Sequence, residues 1–232
     1  MAVVSVFGKR GAGKTTLIRG NLKYFHGPVV IIDILGNYSA DELKQKAKIN
    51  AFETDDISEA ISWIEEYLEK TPKEQQKQKV LTLQAVSPGL AVDYISAALW
   101  EAHQGTLVLD EADAFEFSEA PCYDQIIRYG RNRDVHVITG VRRPAELHKN
   151  ITAAANSMYA FGTHEPRDVE YFEKTIFGER AQALISMPKY SGIFVDYDKG
   201  TQGKFRMDID GNIFQTEVVS INQNQTLAIP PK

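Results

Sequence analysis

The apolar residues of this 232-residue chain follow two alternating patterns. Short apolar runs predict buried strands, and longer stretches with one apolar stripe predict helices. The predicted strands cover residues 2–7, 29–33, 80–86, 106–110, 135–139 and 157–161. The predicted helices cover residues 40–48, 57–70, 90–103, 123–131, 144–154 and 167–177. This alternation predicts an α/β fold with a mostly parallel sheet flanked by helices.

The end of the chain has a different pattern. Residues 204–209 and 213–218 flank an Asp210-Gly211 turn, which predicts a β-hairpin, and a polar tail rich in asparagine and glutamine follows. A chain of this length forms one sizeable core and leaves little for a second full domain. We therefore predict a core at 1–190 and a hairpin with its tail at 191–232, packed on the core or extending from it.

Composition narrows the class of protein. The hydrophobic content of 43% and charged content of 25% are those of an ordinary soluble protein. The single cysteine, Cys122, excludes an intramolecular disulfide framework and fits a reducing compartment. No stretch approaches the ~20 apolar residues that a membrane span needs, and the five histidines share no metal-ligand spacing with Cys122. We expect neither a membrane span nor a structural zinc.

The net charge of −5 is unevenly distributed along the chain. Residues 8–23 carry five bases and no acid, and residues 126–150 carry six bases against two acids. Residues 51–74 carry eight acids and two lysines. This asymmetry suggests separate faces, with the basic one directed toward phosphates, either those of a nucleotide alone or those of DNA as well.

A P-loop motif, GxxxxGKT, follows the first predicted strand and precedes a helical stretch. Its glycines let backbone amides turn toward phosphate, Lys14 reaches the terminal phosphates, and the Thr15 hydroxyl can hold Mg²⁺. A helix beginning at Lys14 would add its positive dipole end. The predicted cofactors are ATP and Mg²⁺, and the predicted binding residues are Gly8, Lys9, Arg10, Gly11, Ala12, Gly13, Lys14, Thr15 and Thr16.

An acid pair, Asp110-Glu111, ends the strand predicted at 106–110. Asp110 would bind Mg²⁺ through water, and Glu111 would polarise an attacking water molecule. A solvated acidic turn explains the pair equally well by itself, but the P-loop favours a hydrolytic site. At least two strands separate Lys14 from Asp110, which is typical of P-loop ATPases with an additional strand and a catalytic glutamate.

Other features of the sequence bear on the kind of nucleotide site and on the core. Residues 33–36 give the DxxG motif of switch GTPases. A GTPase also needs a guanine-specifying NKxD segment, and the nearest match, at 132–134, lacks the lysine and the spacing, so the GTPase interpretation fails. Asp33 either supports the magnesium shell or Lys14, or caps the turn at Gly36-Asn37, and the sequence leaves both open. Trp63 and Trp100 lie on helix stripes and are expected in the core.

Residues 126–147, IIRYGRNRDVHVITGVRRPAEL, contain arginines after the acid pair, a short strand and an Arg-Pro turn. This order resembles the FtsK/HerA superfamily of DNA-pumping ATPases, and most of all the genome-packaging ATPases of tailless, membrane-containing icosahedral viruses of the tectivirus-like and poxvirus-like group. Residues 168–190 resemble the element that follows the core in those proteins. The likeness spans residues 3–196.

The resemblance implies an ATPase that moves double-stranded DNA into a preformed capsid. It also implies a ring oligomer, expected to be hexamer-like, with capsid or vertex proteins as partners. The location would be the cytoplasm of the infected host cell or the packaging vertex of the virion. A conjugative or filamentous-phage DNA-export ATPase remains an alternative, although those usually carry membrane spans. A nucleotide-gated assembly protein is another, and Glu111 argues against it because a pure switch needs no general base.

Two further roles come from the resemblance alone. Arg128, Arg131 and Arg133 lie on the helix that would supply an arginine to a neighbouring subunit's site. Arg142 occupies the position where the superfamily has a glutamine that senses phosphate. It would either contact the γ-phosphate or point toward DNA while another polar residue senses.

Overall fold

A computed structural model describes residues 3–25, 27–77, 79–85, 87–115, 120–147 and 149–221. Ten strands form one sheet in the order β10-β9-β8-β7-β1-β6-β5-β2-β4-β3. The strands are β1 (Val3–Phe7), β2 (Val29–Ile32), β3 (Ala51–Thr54), β4 (Val80–Leu83), β5 (Gly105–Leu109), β6 (Val135–Val141), β7 (Ser157–Phe161), β8 (Ser191–Asp196), β9 (Thr201–Met207) and β10 (Ile213–Ser220). The helices are α1 (Lys14–Asn21), α2 (Ala40–Ala47), α3 (Ile57–Glu69), α4 (Pro72–Lys77), α5 (Pro88–Ala102), α6 (Pro121–Tyr129), α7 (Lys149–Ala154) and α8 (Pro166–Phe172).

Strands β1 to β7 pair in parallel, and β8, β9 and β10 continue the same sheet in antiparallel pairing. The predicted fold class is therefore confirmed, including the C-terminal hairpin β9–β10. Strand β6 lies between the P-loop strand β1 and the acid-bearing strand β5. This is the additional strand that the sequence predicts. The division at residue 190 stays a prediction.

The core has two layers, one on each face of the sheet. The larger layer packs α3, α5, α6 and α8 through side chains such as Trp63, Leu99, Ile126 and Phe172. The smaller layer holds α1 and α2. Strands β1, β2, β4, β5 and β6 are buried along their whole length, as parallel strands covered on both faces must be. Trp100 packs partly buried against the larger layer, so both tryptophans belong to the core.

Some elements differ from the prediction. Strand β3 was not predicted, since it is a half-exposed edge strand without an apolar run, and α4 buries no residue and so shows no stripe. The helix expected at 144–154 is interrupted, because buried Leu147 adopts an extended conformation between a 3₁₀ turn, Pro144–Glu146, and α7. Val86 and the polar tail at 222–232 lie outside the described residues.

The turn of the C-terminal hairpin docks on helix α1. A Cβ atom on Gly20 would collide with the backbone oxygen of Asp210, and one on Gly211 would collide with the backbone oxygen of Thr16. The Asn21 side chain donates a hydrogen bond to the Gly211 oxygen at 3.1 Å. The hairpin is thus held against the helix that begins in the P-loop.

We expect Gly20→Ala to destabilise the protein, although alanine is the better helix former. The added methyl group must displace the hairpin turn, and overpacking of this kind costs about 1–3 kcal/mol. The control is Gly89→Ala in α5, where a Cβ has nothing within 4 Å and stability should stay equal or rise. The measurement is the free energy of unfolding in urea. Equal stabilisation of both variants would show that the hairpin does not dock on α1.

Candidate active site

Four neighbouring strands bring the predicted site residues together. Strands β1, β6, β5 and β2 are adjacent and parallel, so the loops at their carboxyl ends meet at one edge of the sheet. These loops carry the P-loop, the Arg-Pro turn, the acid pair and the segment 33–38, respectively.

The P-loop runs from the end of β1 into α1. Gly11 and Gly13 have φ angles of +78° and +122°, which L-residues with side chains rarely adopt. Lys14 is only 4% exposed, and its Nζ donates a hydrogen bond to the Gly8 carbonyl oxygen at 2.7 Å. Burial lowers the pKa of this ammonium group, and the Glu111 carboxylate opposes that shift. Two further N–H donors of Lys14 remain for phosphate oxygens.

Thr15 and Asp110 are in direct contact. The Thr15 hydroxyl donates a hydrogen bond of 2.6 Å to Oδ2 of Asp110. Hydroxyl and carboxylate oxygens are the ligands that Mg²⁺ prefers, so this pair fits the predicted ion. Gly140 of β6 lies directly beside Asp110, and a Cβ there would collide with Oδ1 of its carboxylate. Only glycine leaves room for this carboxylate.

Tyr38 is a member of the site that the sequence analysis missed. Its side chain is fully buried, and its hydroxyl donates to the same Asp110 oxygen at 3.0 Å. Burial, and then the charge of Asp110, raise the pKa of the phenol well above its usual value. Nothing local in the sequence signals this contact, since 72 positions separate the two residues.

The role of Asp33 is settled by its hydrogen bonds. Its carboxylate accepts the backbone N–H groups of Leu35 at 3.2 Å, Asn37 at 3.0 Å and Tyr38 at 2.6 Å. Asp33 thus caps the turn after β2, which is the second of the two roles considered above. Through this turn it positions the backbone of Tyr38.

Glu111 is 8% exposed and has a φ angle of +65°, an uncommon and costly conformation for a residue with a side chain. Its carboxylate lies 3.9 Å from Nζ of Lys14 and forms an ion pair with the guanidinium of Arg142. Burial raises the pKa of Glu111, and the charge of Lys14 opposes this. The strained turn therefore holds a carboxylate against the P-loop.

The Arg-Pro turn is tied to the acid-bearing loop. The carboxylate of Asp113 accepts the backbone N–H groups of Arg142 at 3.1 Å and of Arg143 at 3.2 Å. Arg142 is 39% exposed in its side chain and reaches Glu111 from the end of β6. The structure thus brings Arg142 to the same cleft as Lys14 and Glu111.

A cleft of about 460 Å³ extends over the P-loop and is bounded by Glu111 and Arg142 on one side and by Tyr190 on the other. This is within the usual size range of small-molecule sites. A second cleft of about 400 Å³ adjoins it, lined by Lys9, Arg10, Arg142, Arg143, Thr163, His164, Glu165 and Asp168. Four basic side chains and two carboxylates therefore line this second cleft, and Arg10 and Arg142 line both clefts.

The other three predicted arginines lie elsewhere. Arg128 pairs with Asp124 at 2.7 Å, Arg131 pairs with Asp198 at 3.5 Å, and Arg133 lies 4.5 Å from the ring centroid of Trp100. Arg133 precedes β6 and Arg142 follows it, so about 20 Å of strand separates them. The basic segment 126–150 thus divides between opposite edges of the sheet. Action of these arginines in a neighbouring subunit stays a prediction.

No family model and no curated protein matches the sequence. Among solved structures, the chain is similar to the genome packaging NTPase B204 of Sulfolobus turreted icosahedral virus 2 in complex with ATPγS, with 17% identity, a TM-score of 0.65 and coverage of 88% of this chain and 95% of that one. The chain is also similar to B204 of Sulfolobus turreted icosahedral virus, a DNA-packaging ATPase. The identity is 15% and the TM-score 0.62, over 88% of this chain and 96% of that one. The chain has the fold of these packaging NTPases. The predicted resemblance is confirmed at the level of the fold.

A second kind of protein shares this fold. The bacterial conjugative coupling protein TrwBΔN70 matches with 10% identity and a TM-score of 0.60, over 93% of this chain and 86% of that one. Within the part of the chain that the structure describes, no helix has the length and apolar character required to cross a membrane.

Proposed function

We propose that this chain is an ATPase that moves double-stranded DNA and packages a viral genome into a preformed capsid. The observation that carries the proposal is the meeting of Lys14, Glu111 and Arg142 in one cleft above the P-loop. The fold of B204 supports packaging as the task. The four basic side chains of the adjoining second cleft support contact with a DNA backbone.

The phosphates of ATP would bind along the P-loop, where backbone amides and the N-terminus of α1 provide positive partial charge. Lys14 would turn its remaining donors toward the β- and γ-phosphates. Thr15 and Asp110 would hold Mg²⁺, which neutralises phosphate charge when bound. The Tyr38 hydroxyl donates to the same Asp110 oxygen as Thr15 and so keeps this carboxylate oriented.

Glu111 would accept the proton of the attacking water as that water approaches the γ-phosphate. Its ion pair with Arg142 places a second positive charge at this end of the cleft. Arg142 is exposed enough to turn from Glu111 to a γ-phosphate oxygen, so we assign it the sensor position that a glutamine holds in the superfamily. In this role Arg142 would change its contacts when the terminal phosphate is present, and this change would affect the Arg-Pro turn and Arg143.

A ring of subunits would complete the site, with an arginine from α6 or the 3₁₀ turn at Gly130–Arg133 reaching a neighbour. Capsid or vertex proteins would be partners, in the cytoplasm of an infected cell or at the packaging vertex. A conjugative or phage-export ATPase is the second candidate, and the likeness to the conjugative coupling protein favours it.

Lys14→Ala should abolish ATP hydrolysis and weaken nucleotide binding, because the lysine charge acts in the ground state and the transition state. Glu111→Gln should bind ATP normally and lose roughly 10²–10⁴-fold in kcat, since it removes only the base. The measurements are steady-state hydrolysis and equilibrium binding of ATP. Glu65→Gln, at an exposed position of α3, is the control and should behave as wild type. Near-normal turnover by Glu111→Gln would remove the catalytic assignment.

If one of Arg128, Arg131 or Arg133 acts across a subunit boundary, its alanine variant should be inactive alone. Mixed with Glu111→Gln subunits it should recover part of the activity, because some boundaries then combine an intact arginine with an intact base. Arg133→Ala should also lower thermal stability, since it loses the contact with Trp100. If none of the three variants complements, the trans hypothesis is wrong and Arg142 acts alone.

Duplex DNA should bind weakly to the monomer and appreciably to the ATP-bound ring, where copies of the basic side chains of the second cleft would face one channel. Lys149→Gln and Arg143→Gln should each reduce DNA-stimulated hydrolysis and leave the basal rate unchanged. Each should also lower, by about one, the slope of the logarithm of the DNA-binding constant against the logarithm of the salt concentration. Lys174 is exposed on the short π-helix at Glu173–Phe177. Lys174→Gln is therefore the control, since it removes one positive charge and should leave DNA-stimulated hydrolysis as in wild type. Tight, sequence-specific binding without nucleotide would instead indicate a regulator.

A further inference from the structure

Tyr190 has an unusual backbone conformation beside the nucleotide cleft. Its φ angle is +61°, in the region that bulky residues avoid. The strain is held by the C-terminal hairpin, since the backbone N–H of Met207 donates to the Tyr190 carbonyl oxygen at 2.8 Å. Strain that the surrounding structure maintains at a ligand cleft often serves a function.

The ring of Tyr190 packs directly on the P-loop. A Cβ atom on Gly13 would lie 2.9 Å from Cδ1 of Tyr190 and 2.8 Å from Cε of Met207, so the ring occupies the space that the glycine leaves. The ring lines the cleft together with Thr16. Nζ of Lys189, an exposed residue, lies over the ring at 4.7 Å from its centroid, so a flexible side chain covers this face.

The cleft has a defined direction. Glu111 and Arg142 follow β5 and β6, on one side of β1, whereas Tyr190 precedes β8, on the other side. The γ-phosphate must lie at Glu111 if that residue activates the attacking water. The opposite end of the nucleotide then lies past Thr16, toward Tyr190.

We propose that Tyr190 is the platform on which the nucleobase of the bound nucleotide stacks, displacing Lys189 from the ring. This inference rests on the proposed function, because the position of Glu111 orients the nucleotide. Stacking on an aromatic ring accepts any base, since every base has a π face. The platform therefore contributes affinity for the base without reading its hydrogen-bonding edge.

The test compares ATP with inorganic tripolyphosphate, which has the phosphates and no base, as competitors of a fluorescent ATP analogue in the presence of Mg²⁺. Tyr190→Ala should weaken ATP binding roughly tenfold, from the usual strength of base–aromatic stacking, and leave tripolyphosphate binding unchanged. Tyr190→Phe keeps the ring and should bind ATP as wild type does. Tyr190→Gly removes the ring and relieves the backbone strain, so it should match Tyr190→Ala in binding while being at least as stable.

Equal loss of ATP and tripolyphosphate affinity in Tyr190→Ala and Tyr190→Gly would show that the ring only supports the P-loop, and the platform would be wrong. Unchanged ATP binding in both variants would also overturn it. If the wild-type chain binds neither ATP nor tripolyphosphate, the proposed ATPase fails first, and the platform fails with it.

Discussion

The site depends on one carboxylate. Asp110 accepts hydrogen bonds from Thr15 in the P-loop helix and from Tyr38 in the loop after β2, so a single oxygen joins three segments that are distant in sequence. The arrangement requires β6 between β1 and β5, and it requires a glycine at position 140, where any side chain would collide with the carboxylate. Charge-assisted hydrogen bonds of this kind are strong and orient both partners. The P-loop and the acid pair therefore keep a fixed relation to each other.

The segment after residue 187 forms one wall of the same site. The hairpin turn contacts Thr16 and Gly20 of α1, and Tyr190 contacts Gly13 of the P-loop. Glycines at these contacts let two backbones, or a backbone and an aromatic ring, approach closely. The hairpin and the P-loop helix are therefore in direct contact beside the cleft.

The sequence predicted the features whose signals are local. The P-loop, the acid pair after β5 and the β9–β10 hairpin each lie within a few consecutive residues, and the structure has the P-loop after β1, the acids after β5 and the hairpin at the end of the sheet. Contacts between distant segments were not predictable: the hydroxyl of Tyr38 on Asp110, the ion pair of Arg142 with Glu111, and the docking of Gly211 on α1 all depend on strand order. The charge count of 126–150 does not show where its arginines lie, because Arg133 and Arg142 flank opposite ends of β6.

We propose that hydrolysis at Glu111 drives movement along duplex DNA, and displacement of a triplex-forming oligonucleotide from a duplex measures that movement. The protein would be supplied with Mg²⁺, ATP and a duplex that carries a labelled third strand, and release of that strand would be followed in time. We predict release by the wild-type chain with ATP, and none by Glu111→Gln, which binds ATP and DNA but does not turn over. Normal ATP hydrolysis that duplex DNA does not stimulate, with the third strand still bound, would show that hydrolysis does not drive movement along DNA.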